Sequence, residues 1–366
     1  MCALPAALLA QAGAGPLPPA QGTTIQKAPQ NGPSTIRVPV RLVAAPAVVR
    51  DNKGELVVDL LQGDFKVFDN GVEQKVDHFD VGGDPVSAVL VVETSSRIAP
   101  ILPAITKAGI VFTQSVLGAN GIGAVIGFDS QIVVASQFSG DADTIEKAVG
   151  KLPPGDSGAR LYDSMATAVN MLRDQPVERR RVILAITEAS DRGSDAKLGD
   201  VLRDAQLANV TIFSVGLSTT AAQLRQPTSN KPNTPSPTPP GVYGDPPMPG
   251  TPQTPTSEAQ RTEGGDLMAV AVWAVTHGAQ TVKANALAVA ATATGGDHIA
   301  TKKDSGIEEA LDRIGGELHA QYTLSYQPTG VAPAGYHEIK IQVARGGLHV
   351  QSRPGYYQPP AVGGGE

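Results

Sequence analysis

Three short polar clusters in this sequence carry residue types that bind cations or pair with charged partners. They are Glu93-Thr-Ser-Ser-Arg97, Gly155-Asp-Ser-Gly-Ala-Arg160 and Thr187-Glu-Ala-Ser-Asp-Arg192. Carboxylate and hydroxyl oxygens are the ligands that magnesium prefers, and guanidinium groups pair with carboxylates. The clusters therefore predict a binding face whose members are Glu93, Ser95, Ser96, Arg97, Ala159, Arg160, Glu188 and Arg192.

Apolar runs and amphipathic segments alternate along the chain and would position these clusters. The apolar runs predict buried strands at 88–93, 121–128, 132–135, 182–187 and 210–217. Apolar residues at helical spacing predict helices at 98–117, 161–172 and 198–207. This alternation is typical of an α/β fold with a doubly wound, mainly parallel sheet between two layers of helices. Ligand sites in such sheets lie at the carboxyl ends of strands, where the three clusters should converge.

Both ends of the chain alternate apolar and polar residues, as antiparallel strands do. This pattern covers an N-terminal β segment at 34–82 and C-terminal β strands at 321–357. The N-terminal segment alone would leave one face exposed, so we expect the C-terminal strands to pair with it in a small sandwich. The α/β domain is expected at 86–320, a signal-like leader and linker at 1–33, and a tail at 358–366.

A proline-rich segment interrupts the α/β pattern. Residues 226–257 contain 11 of the 30 prolines in the chain, mixed with Thr, Ser, Gly and Asn. Proline disrupts helix interiors, and the segment lacks apolar residues to pack, so we expect an extended surface insertion. Beyond it, the pattern predicts helices at 266–276, 282–294 and 305–318, with a short edge strand at 295–301.

Charge and cysteine content exclude several classes of function. The 29 basic and 35 acidic residues give a formal net charge of -6, and no long basic run exists, so we expect no nucleic-acid partner. The densest basic stretch, Arg179-Arg180-Arg181, is expected to be a solvated turn. The single cysteine, Cys2, excludes a disulfide framework and a cysteine zinc site, and the scattered histidines offer no zinc-binding pair.

The N-terminal residues resemble the end of a secretory signal peptide. An apolar run at 3–10 leads into the small-residue pattern Ala10-Gln11-Ala12, and the missing positive region favours a start site upstream. We therefore expect an extracytoplasmic protein. Cys2 is a poor lipoprotein anchor because the apolar run follows it instead of preceding it. We expect no membrane span, because no other run of about 18 apolar residues is found.

One motif invites a catalytic interpretation. Gly155-Asp-Ser-Gly158 is similar to the surroundings of the nucleophile in trypsin-like proteases. That chemistry needs a histidine base and a buried Asp, and no histidine lies between His78 and His277. Asp129, which follows a predicted strand, is interpreted as a turn residue. We therefore expect no catalytic residue and no enzymatic activity.

Motifs in both flanking segments occur in the same order in a known family. They are Val49-Arg-Asp-Asn-Lys-Gly54, Leu61-Gln-Gly-Asp-Phe-Lys-Val-Phe-Asp-Asn-Gly71 and Gln321-Tyr-Thr-Leu-Ser-Tyr326. From about Val38 to Tyr357 the sequence resembles exported bacterial proteins with a von Willebrand factor A domain. The resemblance implies a doubly wound α/β domain, an accessory antiparallel β domain from both chain ends, and a metal-ion-dependent adhesion site. In that site, an Asp-x-Ser-x-Ser strand end, a loop Thr and a later Asp hold Mg²⁺ or Mn²⁺ for a partner's carboxylate.

Most adhesion-site positions are substituted in this sequence. Glu93 and Glu188 stand at the two Asp positions, Arg97 at the second Ser position and Ala159 at the Thr position, while Ser95 is retained. An Asp-to-Glu change moves a carboxylate by about 1.5 Å. Alanine offers no ligand oxygen, and arginine adds a positive charge without a lone pair. We therefore expect no tight Mg²⁺ or Mn²⁺ binding, and the alternative is a metal site of waters with Glu93, Ser95 and Glu188.

Two interpretations of Arg97 follow from these substitutions. Its guanidinium either neutralises Glu93 and Glu188 as a built-in counter-ion, or points into solvent beside a site that has lost its function. The expected function is metal-independent, non-enzymatic protein–protein interaction, in which Arg97, Arg160 and Arg192 receive an acidic side chain of the partner. The alternatives are a metal-dependent adhesion module and a structural scaffold of an envelope complex with an inert face.

Overall fold

Strands from three sheets make up the framework of the fold. A computed structural model of the chain describes residues 42–188, 191–217, 286–301, 305–329 and 334–358. The expected leader (1–33), the proline-rich insertion (226–257) and the expected helix at 266–276 lie outside these residues. In chain order, the strands are β1 (Val43–Asp51), β2 (Phe65–Asp69), β3 (Val72–Gln74), β4 (Val76–Val81), β5 (Val86–Glu93), β6 (Ile122–Phe128), β7 (Ile132–Ser139), β8 (Arg180–Thr187), β9 (Val210–Leu217), β10 (His298–Thr301), β11 (Tyr322–Tyr326), β12 (Gly335–Val343), β13 (Leu348–Ser352) and β14 (Gly355–Gln358).

The helices lie around the largest sheet. Within the described ranges they are α1 (Leu102–Val111), α2 (Ala142–Gly150), α3 (Leu161–Arg173), α4 (Leu198–Leu207), α5 (Ala286–Thr294) and α6 (Ser305–His319). A 3₁₀ turn at Ala99–Ile101 precedes α1, and a π-helical segment at Phe112–Leu117 follows it. Helix α2 is missing from the sequence prediction. It begins after Asp141, whose side chain accepts a hydrogen bond from the Thr144 N–H at 3.2 Å and so caps the first turn.

The central sheet has the strand order β10-β9-β8-β5-β6-β7 and is parallel except for the edge pair β6–β7. Consecutive residues of a strand point to opposite faces. Leu90 and Val92 of β5 therefore pack in the same core cluster as Ile105 of α1, and Val89 packs with Met165 of α3 on the other face. Every residue of β5 is buried, which explains its continuous apolar run. The doubly wound α/β fold expected from the sequence is confirmed.

The direction of the chain across the sheet reverses between β5 and β8. From β5 the chain proceeds outward through β6 to β7, then crosses back to β8 and proceeds outward through β9 to β10. The carboxyl ends of β5 and β8 therefore border a crevice at the topological switch point, where sheets of this kind bind ligands. The clusters that end in Arg97 and Arg192 begin at the last residues of these two strands.

Strands from both ends of the chain form two four-stranded antiparallel sheets, β13-β1-β11-β4 and β14-β12-β2-β3. In the first, β1 pairs with β11, and in the second, β2 pairs with β12. Apolar residues of both sheets share one core, with members such as Ala45, Val67, Tyr322 and Ile341. The accessory β domain from both chain ends is thus confirmed. The N-terminal strands do not form the sandwich alone, because the C-terminal strands pair with them in both sheets.

One helical segment has the length and apolar composition of a membrane span, whereas no membrane span is expected from the sequence. By length and composition alone, Ala99–Leu117 is long and apolar enough to cross a membrane. Its side chains Ile105, Ala108, Phe112 and Val116 are buried in the core against the central sheet. A core helix and a membrane span give the same signal because both hide apolar side chains from water.

The basic triplet at 179–181 is not the solvated turn that the sequence predicts. Arg180 donates a hydrogen bond to the carbonyl of Leu318 at the end of α6. Arg181 donates to the carbonyl of Ala208, just after α4, at 2.8 Å. Desolvation lowers the pKa of both guanidinium groups. Carbonyls at helix C-termini carry partial negative charge, so these arginines join helix ends to the amino edge of the central sheet.

Candidate functional site

Two neighbouring strand ends bring the first and third polar clusters together. Glu93 is the last residue of β5, and Thr187 is the last residue of β8. The two strands are adjacent and parallel, so these residues end at the same edge of the sheet. The Thr187 hydroxyl donates to Glu93 Oε2 at 2.6 Å. We call this edge the top face, formed by residues 93–97, 155–160, 187–188 and 191–193.

The carboxylate of Glu93 lies at the centre of the top face and is completely buried. Its Oε1 accepts hydrogen bonds from Ser95 Oγ at 2.5 Å and from Arg97 Nη2 at 2.9 Å. Its Oε2 accepts from Thr187 Oγ1 at 2.6 Å and from the backbone N–H of Glu188 at 2.9 Å. A carboxylate has about four acceptor positions. These four donors therefore occupy the positions through which a metal ion would bind.

Arg97 bridges the carboxylates of the two strand ends. Its Nε donates to Glu188 Oε2 at 2.8 Å, its Nη2 to Glu93 Oε1 at 2.9 Å, and its Nη1 to the Ser157 carbonyl at 2.7 Å. Only 5% of its side chain is exposed. The interpretation in which Arg97 points into solvent is therefore wrong, and the geometry is that of a built-in counter-ion. One guanidinium between two carboxylates leaves a single net negative charge in this group.

Two aspartates hold the loop that brings Ser157 to Arg97. Asp156 Oδ1 accepts hydrogen bonds from the backbone N–H groups of Gly158 at 2.7 Å and Ser130 at 3.1 Å. The Ser130 hydroxyl donates to the other oxygen of Asp156. Asp129 Oδ2 in turn accepts from the Asp156 N–H at 3.0 Å. The Ser130 hydroxyl first, and then the Gly158 N–H, hold the pKa of Asp156 below its usual value.

Glycine is required at both ends of the Gly155-Asp-Ser-Gly158 motif because the loop packs closely against the β6–β7 turn. A Cβ atom at Gly155 would lie 1.9 Å from Asp129 Oδ2. A Cβ atom at Gly158 would lie 2.7 Å from the backbone of Ser130. Contacts this short do not occur between real atoms, so a larger residue at either position would displace the loop. This packing explains the spacing of the motif.

Ala159 and Arg192 join the second and third clusters through their backbones. The Arg192 N–H donates to the Ala159 carbonyl at 2.7 Å, and the Ala159 N–H donates to the Arg192 carbonyl at 3.1 Å. The methyl group of Ala159 is buried in the core and presents no polar atom to the top face. Arg192 and Ser96 are exposed, and the Ser96 N–H donates to the Asp156 carbonyl at 2.7 Å.

Arg160 belongs to a neighbouring network of ion pairs. Its Nη2 lies 2.7 Å from Asp163 Oδ2 and 2.7 Å from Asp195 Oδ2. Burial tends to raise the pKa of Asp163, but the N–H groups of Ala196 and Asp195 and the Arg160 guanidinium together hold it below its usual value. Arg160 therefore ties the start of α3 to the chain that follows β8.

The structure gathers half of the expected side chains into one hydrogen-bonded group, which comprises Glu93, Ser95, Arg97 and Glu188. Sequence reasoning misses Thr187 and the carbonyl of Ser157. Thr187 has a signal, because it is the polar residue that ends an apolar strand next to an expected site residue. A backbone carbonyl has no such signal, since every residue carries one.

The residues of the top face do not fit a divalent metal ion. Mg²⁺ needs near-octahedral oxygen ligands at about 2.0 to 2.1 Å. The oxygens of Glu93 already accept four hydrogen bonds, Arg97 lies between the two carboxylates, and Ala159 offers no oxygen. Within the described ranges, no group of three or more His, Cys, Asp or Glu residues is arranged to hold a metal ion.

The order in which the chain adds strands to the sheet reverses between β5 and β8, and the edge strand β7 is antiparallel. Polar loops follow β5 and β8. This arrangement matches the one that the sequence resemblance implies. The fold is von Willebrand factor A-like. Within it, the guanidinium of Arg97 links the ends of β5 and β8 through Glu93 and Glu188.

Comparisons with solved structures identify several von Willebrand factor A-like neighbours. The chain is similar to a von Willebrand factor type A protein from Catenulispora acidiphila, with 11% identity, a TM-score of 0.44, and coverage of 78% of this chain and 71% of that one. BatB from Bacteroides thetaiotaomicron is 11% identical, with a TM-score of 0.38 and coverage of 64% and 98%. An aerotolerance-related membrane protein from Bacteroides fragilis is 12% identical, with a TM-score of 0.39 and coverage of 63% and 99%. No protein-family model matches the sequence, and the search of curated proteins finds no match.

Proposed function

We propose that the protein is a non-enzymatic protein–protein interaction module that acts outside the cytoplasm and binds its partner through the top face without a metal ion. The position of Arg97 carries this proposal. Its guanidinium lies 2.8 Å from Glu188 and 2.9 Å from Glu93, between carboxylates that would otherwise repel each other. A cation that belongs to the chain cannot dissociate, so the top face keeps its geometry in the absence of metal.

The partner is proposed to present an acidic side chain to Arg192. Of the three arginines at the top face, Arg97 is almost completely buried and Arg160 is paired with two aspartates. Arg192 is exposed, so an incoming carboxylate would reach it directly from solvent. Exposed ion pairs contribute little affinity, so neighbouring exposed residues such as Ser96 would supply much of the contact.

Thermal unfolding in EDTA, Mg²⁺ and Mn²⁺ tests the independence from metal. A metal ion at about 100 times its dissociation constant would stabilise the protein by about 2.7 kcal/mol, a shift that is easily measured. We expect the three melting temperatures to coincide. A rise in Mg²⁺ or Mn²⁺ that Glu188→Ala abolishes would contradict the proposal and support the metal-dependent adhesion module.

A structural scaffold of an envelope complex is the second candidate, and the internal pairing of Arg97 and Arg160 favours it. Charge reversal at an exposed position separates the two candidates. Arg192→Glu alters the top face, whereas Arg173→Glu alters the exposed far end of α3 and serves as the matched control. Loss of partner binding in Arg192→Glu alone would support a recognition face, and equal binding by both variants and the wild type would support the scaffold.

A further inference from the structure

One edge of the central sheet is formed by β7 (Ile132–Ser139), and no described strand pairs with its outer side. Val133, Val134 and Ala135 are all exposed. Consecutive residues of a strand point to opposite faces, so exposure of three in a row means that neither helical layer covers this part of β7. The unpaired N–H and C=O groups of such an edge can pair with another strand.

The helix that follows β7 covers a face of the sheet and leaves the edge open. Helix α2 buries Ile145 and Val149 in the core cluster to which α1 also contributes. The Thr113 hydroxyl donates to Glu146 Oε1 at 2.8 Å, which joins α2 to the π-helical segment after α1. Helix α2 therefore packs beside α1 and not along the outer side of β7.

β7 lacks the features that protect edge strands from further pairing by length or composition. Proteins protect sheet edges with short strands, charged side chains or proline. β7 has eight residues, and none of them is charged or proline. The other edge strands of the described sheets are shorter, and the longest of them, β4, has six residues that include Asp77, His78 and Asp80. β7 is thus the described edge that is most open to pairing.

Two carboxylates lie at the start of this uncharged edge. Asp129 is in the turn that leads into β7, and Asp156 accepts hydrogen bonds from Ser130 of the same turn. Within the described residues, the hydrogen bonds to Asp129 and Asp156 come from N–H and hydroxyl groups and from no basic side chain. Both carboxylates can therefore receive a cation from outside the chain.

Two more carboxylates follow the end of the strand. Asp141 caps α2, and the Thr144 hydroxyl is the main cause that holds the pKa of Asp141 below its usual value. Asp143 lies 3.4 Å from Lys147 in an exposed pair. A strand of this length spans about 26 Å, which is about three Debye lengths at physiological salt. The two acidic ends are therefore screened from each other, and each needs a basic group of its own.

We propose that β7 receives an extended segment of a partner protein as an additional strand, and that this segment has an uncharged centre and basic residues at both ends. Main-chain hydrogen bonds would supply the pairing, and the carboxylates at the two ends of β7 would select the basic residues. This edge is a second binding surface, and its occupation does not depend on recognition at Arg192.

Two features of β7 disfavour a second copy of this chain as the occupant. An antiparallel pair of β7 strands would bring the acidic start of one copy against the acidic end of the other. Ser136 and Val134 pair with consecutive residues of β6, so Ala135 between them is a bulge without a partner there. A bulge bends its strand, and a flexible segment can follow the bend more easily than a second bent strand can.

Binding of two synthetic peptides to the full chain tests the proposal. Both have an alternating Thr-Val centre, and one carries Lys and the other Glu at both ends. Fluorescence anisotropy of the labelled peptides measures affinity. We expect the Lys-ended peptide to bind about ten-fold more tightly at low salt, and the difference to shrink as salt is raised. Equal binding by the two peptides, or no binding by either, would overturn the proposal.

Hydrogen exchange of the same mixtures locates the bound peptide. We expect the Lys-ended peptide to slow the exchange of β7 amides, while amides of β10, at the opposite edge of the sheet, exchange as in the free protein. Protection that appears at β10 or elsewhere and not at β7 would overturn the assignment of the site.

Two variants separate the contributions of charge and of strand pairing. Asp141→Asn keeps a capping oxygen for α2 but removes a charge, and should weaken binding of the Lys-ended peptide by about two- to five-fold. Val133→Lys places a charge on the open edge and should weaken it by about ten-fold or more. Val177→Lys, at an exposed valine outside β7, is the matched control and should bind as the wild type. Equal binding by the two lysine variants would contradict the proposal.

Sedimentation of the full chain without peptide tests the other occupant. We expect Val133→Lys and the wild type to sediment alike. A wild-type dimer that Val133→Lys dissociates would overturn the choice of a partner protein and identify a second copy of the chain at this edge.

Discussion

The two edges of the central sheet both depend on arginine, but the partners of the arginines differ in charge. At the top face, Arg97 pairs with the full charges of Glu93 and Glu188. At the amino edge, Arg180 donates to backbone carbonyls, which include those of Leu318 and Asp84. The first arginine is hydrogen-bonded to two carboxylates, whereas the second is hydrogen-bonded to backbone carbonyls. The same residue type therefore serves as a counter-ion at one edge and as a helix-end cap at the other.

Replacement of Arg97 should have the largest effect on stability. Arg97→Met keeps much of the side-chain volume but removes the guanidinium that bridges Glu93 and Glu188. Breaking a buried ion pair costs about 3 to 5 kcal/mol, and we expect a loss of this size near neutral pH. Chemical denaturation near pH 7 measures it. A loss below about 0.5 kcal/mol, the size expected for an exposed substitution, would contradict the role of a counter-ion.

Replacement of Arg180 should have a smaller effect on stability. Arg180→Met leaves the carbonyls of Leu318 and Asp84 without their charged donor, and hydrogen bonds to charged groups contribute about 1.5 to 3 kcal/mol. Arg173→Met is the exposed control and should change stability by less than about 0.5 kcal/mol. A loss as large as that of Arg97→Met would remove the distinction between the two edges.

A change that supplies a ligand oxygen should convert the counter-ion site into a weak metal site. Arg97→Ser removes the guanidinium and adds a hydroxyl beside Glu93, Ser95 and Glu188. We expect Mg²⁺ or Mn²⁺ at about ten times its dissociation constant to stabilise this variant by about 1.4 kcal/mol, measured as a rise in melting temperature. The wild type and Arg97→Met, which lacks the hydroxyl, are the controls and should not respond. A flat response of Arg97→Ser would mean that Arg97 does not occupy the place of a cation.

The smallest effect is expected in the loop that supports Arg97. The Ser130 hydroxyl is the main cause of the lowered pKa of Asp156, so Ser130→Ala should raise that pKa toward its usual value. NMR titration of the carboxyl groups measures the change. A lowered pKa contributes stability at neutral pH that is lost as the pH falls through the folded-state pKa, so the two proteins should converge in acid. Asp59, whose pKa is lowered mainly by Arg345, is the internal control and should titrate unchanged.

The strands and helices that the sequence predicts share one property, which is a continuous or periodic apolar face. The run at 88–93 is buried on both faces in β5, and the helical spacing at 161–172 corresponds to the buried face of α3. Helix α2 is missed because it is short and its buried residues are few, Ile145 and Val149. Periodicity therefore predicts an element when enough of its residues are buried, and fails when a short helix contributes only two.

The candidate site was only partly predictable, because its residues are known from the sequence but their contacts are not. The identities of Glu93, Arg97 and Glu188 already indicate that the cation of this site can come from the chain. Their contacts depend on the fold, since Arg97 and Glu188 are 91 positions apart. The contact between Arg180 and Leu318, which are 138 positions apart, also depends on the fold. The sequence predicts that the basic triplet is solvated, whereas in the structure its arginines bind carbonyls at helix ends.

The sequence by itself determined most of the strands and helices, the α/β class and the chemistry available at each strand end. These properties follow from local periodicity and from the side chains themselves. Only the tertiary structure decided which groups each arginine pairs with, and that Asp69 joins both chain ends through Tyr326, Tyr356 and His337. Hydrogen bonds and ion pairs act over a few ångströms, so partners that are distant in sequence are set by the path of the folded chain.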